Sequence, residues 1–349
     1  MLKLIEKFSY GKTADGKEVF RYRITNNPGA YVDLITYGAT VDRICVPDKN
    51  GDLADILVGF DDIEGHETRS NYQGQTVGRY ANRIANGVFS IDGVEYRLTQ
   101  NEKGKTCLHG GGELSHAVWN AIIIDDNAVE MTYSSPDGAQ GFPGNVDFKV
   151  VFTFSDRNEL KIDYFAKTDK KTVINLTNHA YFNLDGEGSG DILGTVLKID
   201  ADRFTPTDED SIPTGELRDV TGTAFDFREP KPIGKDIGAD DEQLKMCKGY
   251  DHNFCLNGGE GPAVTAYSPV SGRAVDVYTD LAGVQLYTGN FLNGTREGKG
   301  GKPIIQHAGF CLETQFYPNT PNTPSFPQCT VEAGGKFLSS TMFKFYIKK

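Results

Sequence analysis

Apolar and polar residues alternate with period two along most of the chain. Glu18–Ile24 reads Glu-Val-Phe-Arg-Tyr-Arg-Ile, and Phe89–Leu98 holds two alternating runs around Asp92-Gly93. Asp-Gly tolerates the positive φ angles of a tight type I′ turn, so this segment predicts a hairpin. Ala121–Ser134 predicts two more strands around Asp125-Asp126-Asn127. Ala263–Asp280 predicts a fold-back at Pro269–Gly272, and Phe337–Ile347 predicts a last strand. Helical spacing is confined to short stretches near Ile63–Asn71 and Asp240–Cys247. No long amphipathic helix alternates with strands, which argues against a doubly wound or TIM-type α/β fold. Many short strands with closely spaced turn signals predict an all-β protein, a large antiparallel β-sandwich with few short helices.

Three loop-like stretches interrupt the pattern: the Gly-rich Asp185–Gly190 and Gly294–Gly301, and Pro318–Pro327 with four prolines. None has the length of a linker and no internal repeat is visible. The 349 residues are therefore read as a single domain, 1–349. Forty glycines, spread along the chain, fit many turns between short strands.

A net charge of −12 repels polyanions and argues against a nucleic-acid role. The six cysteines form no CxxC pair, so no zinc knuckle or thioredoxin-type motif is present. They are too sparse for a disulfide scaffold and read as reduced, buried residues. The N-terminus mixes charged and apolar residues and does not read as a signal peptide. No stretch approaches the roughly 20 apolar residues of a membrane span. These features together predict a cytoplasmic protein.

The six histidines form neither HxH nor HExxH, so spacing signals no metal site. His179 lies in a β-prone run rich in amides and hydroxyls, and periodicity alone reads it first as a hydrogen-bonded sheet histidine. His109 lies in Cys107-Leu-His-Gly-Gly-Gly112, where glycines admit close backbone approach or simply form a turn. Glu313 interrupts an apolar strand, Gly309-Phe-Cys-Leu-Glu-Thr-Gln315. A buried carboxylate must be paired or hydrogen-bonded, so Glu313 is either an ion-paired structural residue or a catalyst. Asp251 carries the same ambiguity, and Arg79 and Arg83 read by default as salt-bridge arginines.

Taken together, the segments resemble the aldose 1-epimerase family in order, spacing and local sequence. The motifs are Gly38-Ala-Thr40, Gly78-Arg-Tyr-Ala-Asn-Arg-Ile84, Leu108-His-Gly-Gly111, Asn175-Leu-Thr-Asn-His-Ala-Tyr-Phe-Asn-Leu184, Gly249-Tyr-Asp-His-Asn-Phe254, Gln285-Leu-Tyr-Thr-Gly-Asn-Phe291 and Gly309-Phe-Cys-Leu-Glu-Thr-Gln315. Tyr80 departs from the usual first box without touching its polar positions. The resemblance implies the galactose mutarotase-like supersandwich with a sugar cleft on a concave sheet. It implies Glu313 as general base and His179 as general acid. It carries sugar-contacting roles onto Arg79, Asn82, Arg83, His109, Tyr181, Asp251 and Gln285, with Phe291 as an apolar wall. The implied reaction interconverts the α and β anomers of a free hexose such as galactose or glucose, with no cofactor or metal and with the protein as monomer or homodimer.

Such chemistry asks for one base and one acid. The anomeric hydroxyl loses a proton, the ring oxygen gains one, and the opened ring closes on its other face. Reference values of about 6.5 for histidine and about 4.3 for glutamate predict an ionised Glu313. Nearby carboxylates, Asp251 first, would raise His179 and keep it protonated. Two rival functions remain. A glycoside hydrolase would pair Glu313 with Asp251, and a non-catalytic carbohydrate-binding sandwich would use the same face without turnover. A phosphorylated hexose is less expected, since no extra basic cluster stands near the motifs.

Overall fold

The computed structural model describes residues 5–348. A nine-stranded antiparallel sheet runs in the order 120–125, 128–135, 146–154, 159–168, 336–347, 273–279, 264–267, 196–199 and 231–232. A six-stranded sheet has the order 181–182, 310–315, 283–287, 251–255, 203–205 and 218–219. The N-terminal residues 5–55 form a five-stranded meander. Period-two patterning predicts this all-β architecture. At Asp92-Gly93 both φ angles are positive, +52° and +80°, as a type I′ hairpin requires.

Two short helices occur where spacing suggests them, Ile63–Thr68 and Glu242–Cys247. Each starts at an aspartate, Asp62 or Asp241, whose carboxylate accepts first-turn amide hydrogens. The first helix ends at Thr68, three residues before the predicted Asn71, with Arg69 as its C-cap at φ −116°. No helix among the described residues is long and apolar enough to cross a membrane. All six cysteines are buried and free, as their spacing suggests.

One apolar cluster joins the three sheets, with Leu34 from the meander, Phe148 from the large sheet and Leu312 from the six-stranded sheet all buried in it. Strand 310–315 shows how alternation assigns faces. Phe310 and Leu312 enter the core, and the Thr314 hydroxyl meets that of Thr341 on the opposite sheet at 2.6 Å. Cys311, Glu313 and Gln315 point the other way. Neighbouring strands repeat this division: Phe254, Val284 and Leu286 lie in the core. Cross-strand register then aligns Asn253, Gln285 and Glu313 in one row, and Asp251, Tyr287, Cys311 and Tyr181 in the next. The outward face of this sheet is thus polar and aromatic while its inner face is apolar.

Leu312 anchors the strand that carries Glu313. Leu312→Ala should cost about 2–5 kcal/mol by removing buried atoms and leaving a cavity. Urea unfolding checks this, and a change below about 1 kcal/mol would show that the core collapses around the gap.

Candidate active site

The polar face of the six-stranded sheet opens into a cavity of about 250 Å³. Its walls include Glu313, His179, Asn82, Arg83, His109, Tyr181, Asp251 and Phe291, all drawn from the sequence motifs. Asn71, Tyr72, Glu102, Leu108 and Tyr287 complete it. Tyr287 and Leu108 sit inside quoted motifs, so their places were within reach of the sequence. Asn71, Tyr72 and Glu102 carry no local signal that marks them.

Glu313 and His179 meet at the cavity floor, with Nε2 of the imidazole 3.6 Å from a carboxylate oxygen. Glu313 is 2% exposed and His179 is 5% exposed. The other carboxylate oxygen of Glu313 is buried without a protein partner. The His179 ring is stacked on Tyr181, with centroids 5.0 Å apart and planes 14° apart, and its Nδ1 lies 3.4 Å from the Cys311 sulfur. Tyr72 covers the ring at a centroid distance of 6.0 Å. These contacts fix the ring while leaving Nε2 toward the cavity.

Burial reverses the charge states expected from reference values. It pushes the His179 imidazole down to about 3. It pushes the Glu313 carboxyl well above the usual carboxylate range, with the Asp251 charge adding to the rise and Arg83 opposing it. The expected influence of Asp251 therefore falls on Glu313 rather than on His179. The physical reason is desolvation, which disfavours whichever form carries charge.

Around this pair stand polar groups already fixed by the fold. Arg83 donates through Nε and Nη2 to the two oxygens of Glu102, each at 2.8 Å, and its Nη1 lies 3.8 Å from Asp251. Asp251 accepts from Gln285 Nε2 at 2.7 Å, and Gln285 Oε1 accepts from Gln315 at 3.2 Å. Gln285 is 3% exposed and does not line the cavity. It donates to Asp251 and so helps to orient that carboxylate. The register seats Gln285 in the row of Glu313, between Asn253 and Glu313.

Arg79 also stands apart from the cavity. Its side chain is fully buried, and its guanidinium donates to the Ser135 hydroxyl and to the carbonyls of Ser135, Pro136, Pro143 and Gly144. No donor nitrogen is left for a ligand. The expected ligand contact is thus a structural clamp that ties the 135–144 segment to the motif carrying Asn82 and Arg83.

His109 enters the cavity from the glycine run. Gly110 has φ +63°, and a Cβ there would lie 2.3 Å from the Gly78 and Arg79 backbone, so only glycine permits this approach. His109 Nδ1 accepts the Asn82 amide hydrogen at 3.2 Å. The neutral ring must then carry its proton on Nε2. His109, His179 and Glu313 do present three ligand-type atoms within 4.8 Å of one another. With its proton on Nε2, His109 offers a hydrogen-bond donor rather than a lone pair, so the trio suits hydroxyl recognition better than metal ligation. Burial keeps His109 neutral by lowering its pKa well below the ordinary value.

A family model described as aldose 1-epimerase matches residues 21–344. The galactose mutarotase of Bos taurus is 44% identical over 319 residues, covering 90% of this chain and 91% of its own. The aldose 1-epimerase of Escherichia coli (strain K12) is 39% identical over 337 residues, covering 95% and 96%. Among solved structures, a galactose 1-epimerase from Lactobacillus acidophilus superimposes with a TM-score of 0.88 at 29% identity, over 99% of both chains. An aldose epimerase homologue from C. elegans gives 0.87 at 32% identity, over 94% of this chain and 98% of its own.

The clamp assigned to Arg79 can be separated from a ligand contact. Arg79→Met should lower stability by about 3 kcal/mol or more, because several buried carbonyls lose their donor. Urea unfolding reads this directly. Wild-type stability with a large loss of sugar affinity would put Arg79 back among the ligand contacts.

Proposed function

The chain belongs to the aldose 1-epimerase family, and from that premise we propose that Glu313 and His179 carry out its acid–base chemistry within one catalytic domain. The protein is a mutarotase-type isomerase that interconverts the anomers of free aldoses, galactose among them. One observation carries the residue assignment: a carboxylate and an imidazole, both buried, stand 3.6 Å apart on the wall of a sugar-sized cavity.

In solution near neutrality this pair holds one proton. Neutral acid beside neutral imidazole contains as many protons as carboxylate beside imidazolium. Desolvation favours the first arrangement in the free protein. A sugar hydroxyl donating to the unpartnered Glu313 oxygen favours the carboxylate and moves the proton to His179. The carboxylate then takes the proton of the anomeric hydroxyl while Nε2 of His179 protonates the ring oxygen. The bond from the anomeric carbon to that oxygen breaks and an aldehyde forms. After the carbonyl end turns over, neutral His179 recovers the proton from the ring-oxygen hydroxyl and Glu313 returns one to the new anomeric oxygen. The pair is thereby reset without proton exchange with solvent.

His109 donates from Nε2, Arg83 and Asn82 offer further donors, Asp251 accepts, and Tyr181 and Phe291 give apolar surface. A hydrolase reading is not favoured. Asp251 is engaged by Gln285 and faces Arg83, whereas Glu313 faces the His179 imidazole.

Glu313→Gln and His179→Asn should each lower kcat by about 10²–10⁴-fold, the usual weight of one positioned acid or base. Polarimetry on freshly dissolved α-galactose, with circular dichroism to verify folding, measures this. Wild-type turnover in both variants would sink the assignment.

The pH profile gives a second test. A solvent-exposed imidazolium acid would lose its proton as pH rises through about 6.5, and kcat would fall there. The pair held by Glu313 and His179 loses activity at low pH only on taking a second proton, which burial of His179 makes harder than for free histidine. It loses activity at high pH only on giving up its last proton, which burial of Glu313 opposes. We expect kcat to stay level across about pH 6.5. A half-loss centred there would show an isolated histidine acid.

A further inference from the structure

Among the polar residues of the cavity wall that no sequence motif supplies is Asn71. Segment 69–71 follows the first helix, and loop 291–301 follows strand 283–287. The two are stitched together in both directions. Arg296 Nη1 donates to the Arg69 carbonyl at 2.5 Å and to the Asn71 side-chain oxygen at 2.6 Å. Arg69 Nη1 returns a bond to the Glu297 carbonyl at 3.1 Å. The Asn71 carbonyl accepts from the Tyr181 hydroxyl at 3.0 Å, the same tyrosine that stacks on His179.

Asn71 lines the cavity. Arg296 occupies its carboxamide oxygen, so the amide orientation is set and the NH₂ end is the one left for another acceptor. Arg296 does not line the cavity itself. Resting on the mutarotase reading above, we propose that Asn71 is a further sugar-binding residue, donating to a hydroxyl of the bound aldose, and that Arg296 is the positioning residue that holds it there. Neither residue touches the Glu313–His179 pair. Their effect falls on binding and on which hydroxyl pattern is accepted, not on the proton transfers.

The experiment is a double-mutant cycle. Steady-state mutarotation and calorimetric galactose binding are measured for wild type, Asn71→Ala, Arg296→Ala, Arg296→Lys and the Asn71→Ala/Arg296→Ala double variant. Asn71→Ala should raise KM and Kd for galactose about three- to tenfold, the weight of one hydrogen bond, with kcat within about twofold. Arg296→Ala should raise them similarly, and Arg296→Lys should recover part of the loss because the two contacts come from a single nitrogen. The double variant should match Asn71→Ala alone, since Arg296 acts through Asn71. An unchanged KM and Kd in Asn71→Ala would overturn the proposal, and so would multiplicative losses in the double variant. If wild type binds galactose without accelerating mutarotation, the mutarotase reading fails, while the binding cycle still judges Asn71 and Arg296.

Discussion

The site depends on keeping water away from a carboxylate and an imidazole that stand side by side. In water Glu313 would be ionised and His179 would titrate near neutrality, each exchanging protons with solvent. Enclosed together 3.6 Å apart, the imidazole is lowered to about 3 and the carboxyl is raised well above the usual carboxylate range. Desolvation raises the carboxyl and lowers the imidazole because it disfavours the charged form of each. One oxygen of that carboxylate is buried without a protein donor, a position that a hydroxyl group fits.

That enclosure is built by a sheet whose two faces have opposite character. Leu312 and Glu313 are adjacent in the chain yet face opposite sides, one into the apolar core and one into the cavity. Cross-strand register adds the support, placing Gln285 beside Glu313 and against Asp251. Loops close the remaining walls. The glycine run brings His109 in with a defined tautomer, and segment 69–71 is tied to loop 291–301 by arginine–carbonyl bonds. A strand thus holds Glu313 and the short link between strands 177–178 and 181–182 holds His179, while loops contribute further walls of the cavity.

Arg79 and Arg83 show how far local sequence carries and where it stops. Both lie in one motif, four residues apart, and both read as ligand contacts by resemblance. Arg83 reaches the cavity braced by Glu102, whereas Arg79 turns away and is consumed by five acceptors. Nothing in the heptapeptide distinguishes them, because the acceptors that capture Arg79 come from residues 135–144. Glu102 likewise has no motif of its own and is defined by its bidentate partner.

The sequence by itself determined the strand alternation, the Asp92-Gly93 hairpin, the two short helical stretches and the polar motifs that supply the reacting pair. Each is a local property, set by side-chain period, φ preference or the capping of a few residues. Tertiary structure alone decided which motif residues face the cavity, which support it from behind, and how far burial shifts Glu313 and His179. Those outcomes depend on burial and on partners tens to hundreds of residues away, and desolvation exists only once the sheets and loops have closed around the groups.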